Sequence, residues 1–314
     1  MSHRGFMGAR KADTPASGLL TLEFDNIANA PVADPNSVSD WNTLFNLPAL
    51  GTSFSSVSVN GNVVTLFNTG TIVLKNEIFN IGTTPRTWLV KFIDTDIITN
   101  TDSINSQLHF FAHAGLIDVQ MPVLELLGPG TFRDCVGLTS VFFPDALETR
   151  RTTSAGSTFR GCTSLVYAGL PKCEIVGPDT FFNCTSLSEV NLPSAKQIAQ
   201  QAFQNTFMLE GLHAPELLSL GSQAFILSSN NGTMTYFHAP KCTDVLGSNV
   251  FRRRTGLNNI NLAACTQLGA TTGNNSIFSG ITGNTINFTL PVGTRTDGDA
   301  VELAANNTVT FIDP

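Results

Sequence analysis

The feature that most restricts how this chain can fold is a repeat in which a phenylalanine is followed twelve residues later by a proline. The clearest copies run from Phe132 to Pro144, from Phe159 to Pro171 and from Phe181 to Pro193. Phe110 to Pro122 and Phe203 to Pro215 keep the frame, Phe225 to Pro240 carries a three-residue insertion, Phe251 runs to Ala263, and Phe278 to Pro291 is one residue longer. The phenylalanines are spaced by 22, 27, 22, 22, 22, 26 and 27 residues. A period of this size is the mark of a stacked array, because one unit is too small to bury its own apolar face. Composition agrees: 23 Phe stand against two Trp and two Tyr, so phenylalanine has one recurring structural task.

Within a copy, the residues one, three and six before Pro are apolar, as in Leu138, Val141 and Phe143 or Leu187, Val190 and Leu192. The positions between them vary and are mostly polar. That alternation predicts a short strand with one buried face, closed by Pro where a ladder donor is not needed. Two residues after Phe come Asp134, Gly161, Asn183, Asn205 and Gly280, types suited to a turn with positive φ. A second signature is an aliphatic residue five before Phe and a small one four before it: Leu127-Gly128, Val176-Gly177, Ile198-Ala199, Leu220-Gly221 and Leu246-Gly247. Strands of successive turns are expected to pair in parallel about 4.8 Å apart, with the Phe rings stacked as a spine. Truncating one such ring to Ala is expected to cost about 3–5 kcal/mol.

The pattern Phe-x-x-Cys-x-x-Leu-x-x-Val-x-Leu-Pro followed by an aliphatic-Gly step resembles the BspA-type leucine-rich repeat family over about Leu108 to Pro291. The resemblance implies a β-rich leucine-rich-repeat solenoid with a minor α/β component. It also implies roles in adhesion and partner binding, frequently at cell surfaces, with related repeats in virion proteins of tailed phages. It carries no catalytic residue over.

The flanks differ. Residues 1–17 read as a flexible basic arm, 18–104 as a β-rich N-terminal cap or docking region, 105–291 as a solenoid of about eight repeats, and 292–314 as a C-terminal cap. Leu19–Phe24, Val57–Leu66 and Trp88–Phe92 read as strands, with Asn60-Gly61 as a hairpin signal. Asp40 caps a short helix expected to Phe45, Ile78-Phe79 with Trp88–Phe92 could be a degenerate first repeat, and Thr308–Ile312 reads as a last strand.

Little here points to chemistry. All six cysteines fall on repeat slots, three after Phe (Cys135, Cys162, Cys184) or two after the Pro position (Cys173, Cys242, Cys265), which favours buried packing over disulfides or zinc. His113 takes a Cys slot, and no metal-binding His-Glu-x-x-His, nucleophile elbow, phosphate loop or dinucleotide fingerprint occurs. No cofactor, metal or catalytic residue is therefore expected, and the chain reads as non-enzymatic; a glycan hydrolase would need a carboxylate pair about 5–10 Å apart in a cleft. Net charge of −7 argues against a general nucleic-acid binder. Arg252-Arg253-Arg254 either binds a phosphate-rich or sulfated glycan or is simply solvated. Residues 1–16 hold no apolar stretch of about seven, so no secretory signal is expected, and no run of about 18 apolar residues predicts membrane insertion.

The outward positions four and two before Pro are the candidate recognition face. Tyr167, Glu189, Asn191, His213, Tyr236, His238, Asn259 and Asn261 are its candidate ligand- or partner-binding residues. Amides for orientation and tyrosine rings for area suit a glycan or a protein. Two roles follow: a phage virion component (fibre, decoration or tail-associated) that contacts another virion protein or a host-surface protein or glycan, or a bacterial cell-surface adhesin. Virion or bacterial surface is the matching location, and a homo-oligomer fits either role.

Overall fold

The computed structural model describes residues 130–149, 158–269, 276–295 and 298–314, together with seven strands at 19–24, 56–60, 63–67, 86–93, 98–99, 116–120 and 124–127. The chain winds into a parallel β solenoid. Each coil contributes a three-residue outer strand just before its Pro: Ser140–Phe142, Tyr167–Gly169, Glu189–Asn191, Gly211–His213, Tyr236–His238 and Asn259–Asn261, then the longer Thr285–Thr289. A two-residue strand follows on the next side, from Glu148–Thr149 through Gln267–Leu268, and these short strands form their own parallel sheet. On the third side the Phe turns are tied coil to coil by backbone bonds such as Phe159 N–H to Thr180 O at 2.9 Å and Gly161 N–H to Phe182 O at 2.8 Å. Every side of the coil thus passes its backbone groups to a neighbour, so a buried polar chain stays satisfied.

The phenylalanine spine forms as the spacing predicts. Phe132, Phe159, Phe181, Phe203, Phe225, Phe251 and Phe278 stack in order, with centroids 5.1–5.7 Å apart and planes within 21° of parallel. Phe143, Phe237 and Phe288 pack on the column at tilted or edge-on angles. Phe110 and His113 of the first expected repeat lie outside the described residues, but its strand, Leu116–Gln120, pairs in parallel with Ser140–Phe142. The arm at 1–17, the helix from Asp40, the Ile78-Phe79 pair and Gly61 also lie outside the described residues.

Positive φ occurs two after Phe at Asp134, Gly161, Asn183, Asn205 and Gly280, as expected, and also at Arg253. A second left-handed position two before Phe was not foreseen: Gly130, Asp179, Gln201, Gln223, Asn249 and Ser276. The small residue four before Phe has a steric reason at Gly221, where a Cβ would stand 2.5 Å from Gln200 N and 2.6 Å from the Ala199 carbonyl carbon. Backbones of adjacent coils touch there.

Six buried thiols fill two columns without a bridge. Cys162 donates to Phe132 O at 2.9 Å and Cys184 to Phe159 O at 3.0 Å, each reaching the phenylalanine carbonyl of the previous coil. Cys173 and Cys265 donate to the carbonyls of Ile175 and Gln267. These thiols are packing residues that also close backbone hydrogen bonds.

Two expectations need correction. Leu246 is not the inward aliphatic of its coil: Val245 pairs with Leu220 and is buried, while Leu246 is 47% exposed. One additional residue before Gly247 pushes it outward. The triple arginine is not one solvated or ligand-binding loop either. Arg254 is fully buried in the slot three after Phe, where other coils place Cys. Its Nε donates to Phe225 O at 2.7 Å, and its two terminal nitrogens reach Thr206 O at 2.7 Å, Thr206 Oγ1 at 2.8 Å and Phe203 O at 3.2 Å. The inserted coil explains this. After Phe225 the chain does not close the local turn, since Ser228 N–H turns to Asn205 Oδ1 at 2.8 Å, so the Phe225 carbonyl takes its donor from Arg254. Leu227 and Gly232 line the widened space beside the guanidinium. Burial pushes Arg254 down to about 9.

At the N-terminal end, Leu19–Phe24 pairs antiparallel with both Leu116–Gln120 and Arg86–Ile93. Ser56–Asn60 and Val63–Phe67 form the expected hairpin, with Asn60 opposite Val63. At the C-terminal end, Thr308–Ile312 adds a parallel strand beside Thr285–Thr289. The helix Gly298–Asn306 before it was not read from the sequence. It buries Asp299, Ala300 and Leu303, and Asp299 Oδ1 accepts the Ile277 N–H at 2.9 Å, tying the helix to the last coil.

Candidate recognition face

The outer strands align the predicted columns residue for residue. Ser140, Tyr167 and Glu189 are direct neighbours, as are Phe142, Gly169 and Asn191. Farther along, Gly211, Tyr236, Asn259 and Asn287 form one column and His213, His238, Asn261 and Thr289 the other. The ladder runs in two sections that divide between Glu189–Asn191 and Gly211–His213. Glu210 N–H still reaches Ser188 O at 3.3 Å across that division. Val190 is half-buried there while its counterparts Ala168 and Leu212 are buried.

Tyr167, Glu189 and Asn191 therefore share the first section, and His213, Tyr236, His238, Asn259 and Asn261 the second. Tyr167 and Tyr236 are three strands apart, roughly 14 Å at the usual strand spacing. Glu189, Asn191, His213, Tyr236 and Asn259 are exposed; Tyr167, His238 and Asn261 are half-buried.

Two glycines give this face its relief. A Cβ on Gly211 would fall 2.3–2.5 Å from ring atoms of Tyr236, so that ring lies directly over the glycine. A Cβ on Gly169 would meet the Phe142 ring at 2.7 Å and the Tyr167 hydroxyl at 2.8 Å. Two aromatic plates thus lie down on the ladder where a column lacks a side chain, with Glu189 and Asn191 between them. Burial raises the Tyr236 phenol above its ordinary value, and the carboxylates of Glu210 and Glu189 raise it further, so it stays a neutral donor at neutral pH. Glu210, five before Pro215, lies outside both columns and was missed by the sequence reading. The glycine gaps were visible in the columns; what fills them depends on side-chain direction, which spacing does not encode.

His213 and His238 are opposite one another with ring centroids 4.8 Å apart. Burial, then repulsion from His213, lowers His238. Among the described residues no group of three His, Cys, Asp or Glu side chains converges as a metal cluster would. Among those same residues no helix is long and apolar enough to cross a membrane.

Residues 103–231 match, in six copies, the family described as BspA type leucine rich repeat region. The repeats of this segment are thus similar to BspA-type leucine-rich repeats. The matched segment is somewhat under half of the chain, and the same coil geometry continues beyond it to Phe278 and Phe288. The chain is also similar to three solved leucine-rich structures. A leucine rich repeat protein of T. pallidum is 13% identical, with 83% of this chain and 97% of that one covered and a TM-score of 0.29. A leucine rich cell surface protein from Faecalibacterium prausnitzii is 13% identical, with 82% and 93% covered and a TM-score of 0.30. A leucine-rich repeat protein from Bacteroides ovatus is 11% identical, with 82% and 97% covered and a TM-score of 0.26. No curated protein matches the chain.

Proposed function

We propose that this chain is a non-enzymatic recognition protein whose outer ladder binds a surface glycan, with Tyr236 over Gly211 and Tyr167 beside Gly169 as stacking plates. The observation that carries this reading is the exposed aromatic ring held flat on the sheet between carboxylate and amide side chains. A sugar ring offers an apolar face and a rim of hydroxyls. Tyr236 matches the first, and Glu189, Asn191, Asn259 and Asn261 match the second. The division of the chain into an arm at 1–17, a cap or docking region at 18–104, the solenoid and a C-terminal cap belongs to the same proposal: the antiparallel strands at the N-terminal end would seat the solenoid on a larger body.

We place that body in a tailed-phage virion, motivated by the Asn-, Thr-, Ser- and Gly-rich, Lys-poor composition of the chain and its similarity to BspA-type repeats; a bacterial cell-surface adhesin is the second reading. Glycan-array binding of the full chain tests the recognition step. Tyr236→Ala is expected to weaken the leading glycan about 30-fold, as for an aromatic anchor worth about 2 kcal/mol. Tyr167→Ala is expected to weaken it less, because that ring is half-buried. Binding unchanged in both variants rules the face out. Mass spectrometry of purified virions separates the two locations: the chain in particles supports the first, and its recovery only from cell envelopes supports the second.

A further inference from the structure

The column two before Pro sets His213 and His238 side by side on adjacent parallel strands. Their imidazole centroids are 4.8 Å apart and their planes are tilted by 42°. A borderline divalent ion bonds an imidazole nitrogen at about 2.0–2.1 Å, which places each ring centroid about 3.2 Å from the ion. Two such rings then have centroids about 4.5 Å apart at a right angle and about 5.2 Å apart at the tetrahedral angle. The observed separation falls inside that window. We propose that His213 and His238 form a two-imidazole site for a borderline transition-metal ion such as zinc, copper(II) or nickel.

The ligand chemistry is selective. Imidazole nitrogen favours zinc, copper and nickel over the oxygen-seeking calcium and magnesium. The ladder holds the two strands in register, so the second imidazole is delivered without ordering a loop. His213 is exposed and His238 half-buried, which leaves the site open on the solvent side. Asn261 flanks His238 in the same column and is uncharged. With no third protein ligand of the His, Cys, Asp or Glu type converging among the described residues, the remaining positions go to water or to a donor on a bound partner. The site does not depend on the glycan reading above.

The test is a zinc titration of the full chain, followed through the ring resonances of its five histidines by heteronuclear NMR. The signals of His213 and His238 are expected to move together in one saturable event, ahead of His3, His109 and His113. His213→Ala is expected to weaken zinc binding at His238 at least about ten-fold, since a chelate becomes a single ligand. His213 is exposed, and an unchanged melting temperature shows that the variant is folded. If zinc leaves the His238 ring unmoved at millimolar concentration, or moves it equally well without His213, the proposal fails.

Discussion

Truncating Arg254 to Ala leaves the Phe225 carbonyl without its donor. It also removes the strong donor from Thr206 O, whose other contact, from Leu209 N–H, is 3.5 Å long. The Phe203 carbonyl loses less, because Thr206 Oγ1 also donates to it at 2.9 Å. Two buried carbonyls that lose such donors cost about 1–3 kcal/mol each, together about 2–6 kcal/mol. The expected loss is therefore about 4 kcal/mol. For a domain of this size that lowers Tm by roughly 8–16 °C, and it shifts the urea midpoint without a change in the dependence on urea. Arg254→Lys should not rescue, since one ammonium cannot serve acceptors on two coils. Arg253 donates to Ser228 O at an exposed site, so Arg253→Ala is expected to cost at most about 1 kcal/mol. Scanning calorimetry and urea unfolding followed by circular dichroism give both numbers. If Arg254→Ala lies within about 0.5 kcal/mol of Arg252→Ala, the guanidinium faces solvent and the account of the widened coil is wrong.

Two further outcomes follow from the packing. Gly221→Ala drives a methyl into the backbone of Ala199 and Gln200 and is expected to cost about 1–3 kcal/mol, whereas Gly293→Ala meets nothing within 4 Å and should be near neutral by the same unfolding assay. Burial raises the thiols of Cys162 and Cys184 and pushes Cys173 and Cys242 up to about 12. A folded value above the unfolded one means stability is complete below about pH 8.5 and drains away as pH rises toward 12, by at most about 1.4 kcal/mol per thiol per pH unit. Arg254, lowered to about 9, works in the opposite direction over the same window but is one group against four. Urea midpoints should fall between pH 8 and pH 10, and fall less steeply in the Cys173→Ala, Cys242→Ala double variant; a flat or rising profile in the parent would contradict the burial of these thiols.

The architecture was legible because its signals are strict. Phe and Pro hold a near-constant separation, and the strand alternation between them sets Tyr167 opposite Glu189 and His213 opposite His238. The errors fall where a coil departs from 22 residues. One added residue moved Leu246 outward and left Val245 as the true partner of Leu220. The insertion after Phe225 opened a space that a long cation fills, and sequence patterns assign a run of three arginines to solvent. The helix at Gly298–Asn306 escaped notice because its nine residues lie outside the repeat and bury only three side chains. On the recognition face, columns were readable but relief was not: the ring of Tyr236 over Gly211 depends on which way a side chain leans.

The closure of each coil onto its neighbours by the same three backbone edges has a consequence for how such a molecule changes over generations. Excising the span from Phe182 to Phe203, a whole period, would join Phe181 to Gln204 and present every remaining strand with a partner of the right phase. Loss of a single residue inside a coil would instead turn one stretch inside out. Length can therefore vary in quanta, and reach toward a target can be tuned by recombination between copies while the cross-section, and with it the interior, stays constant.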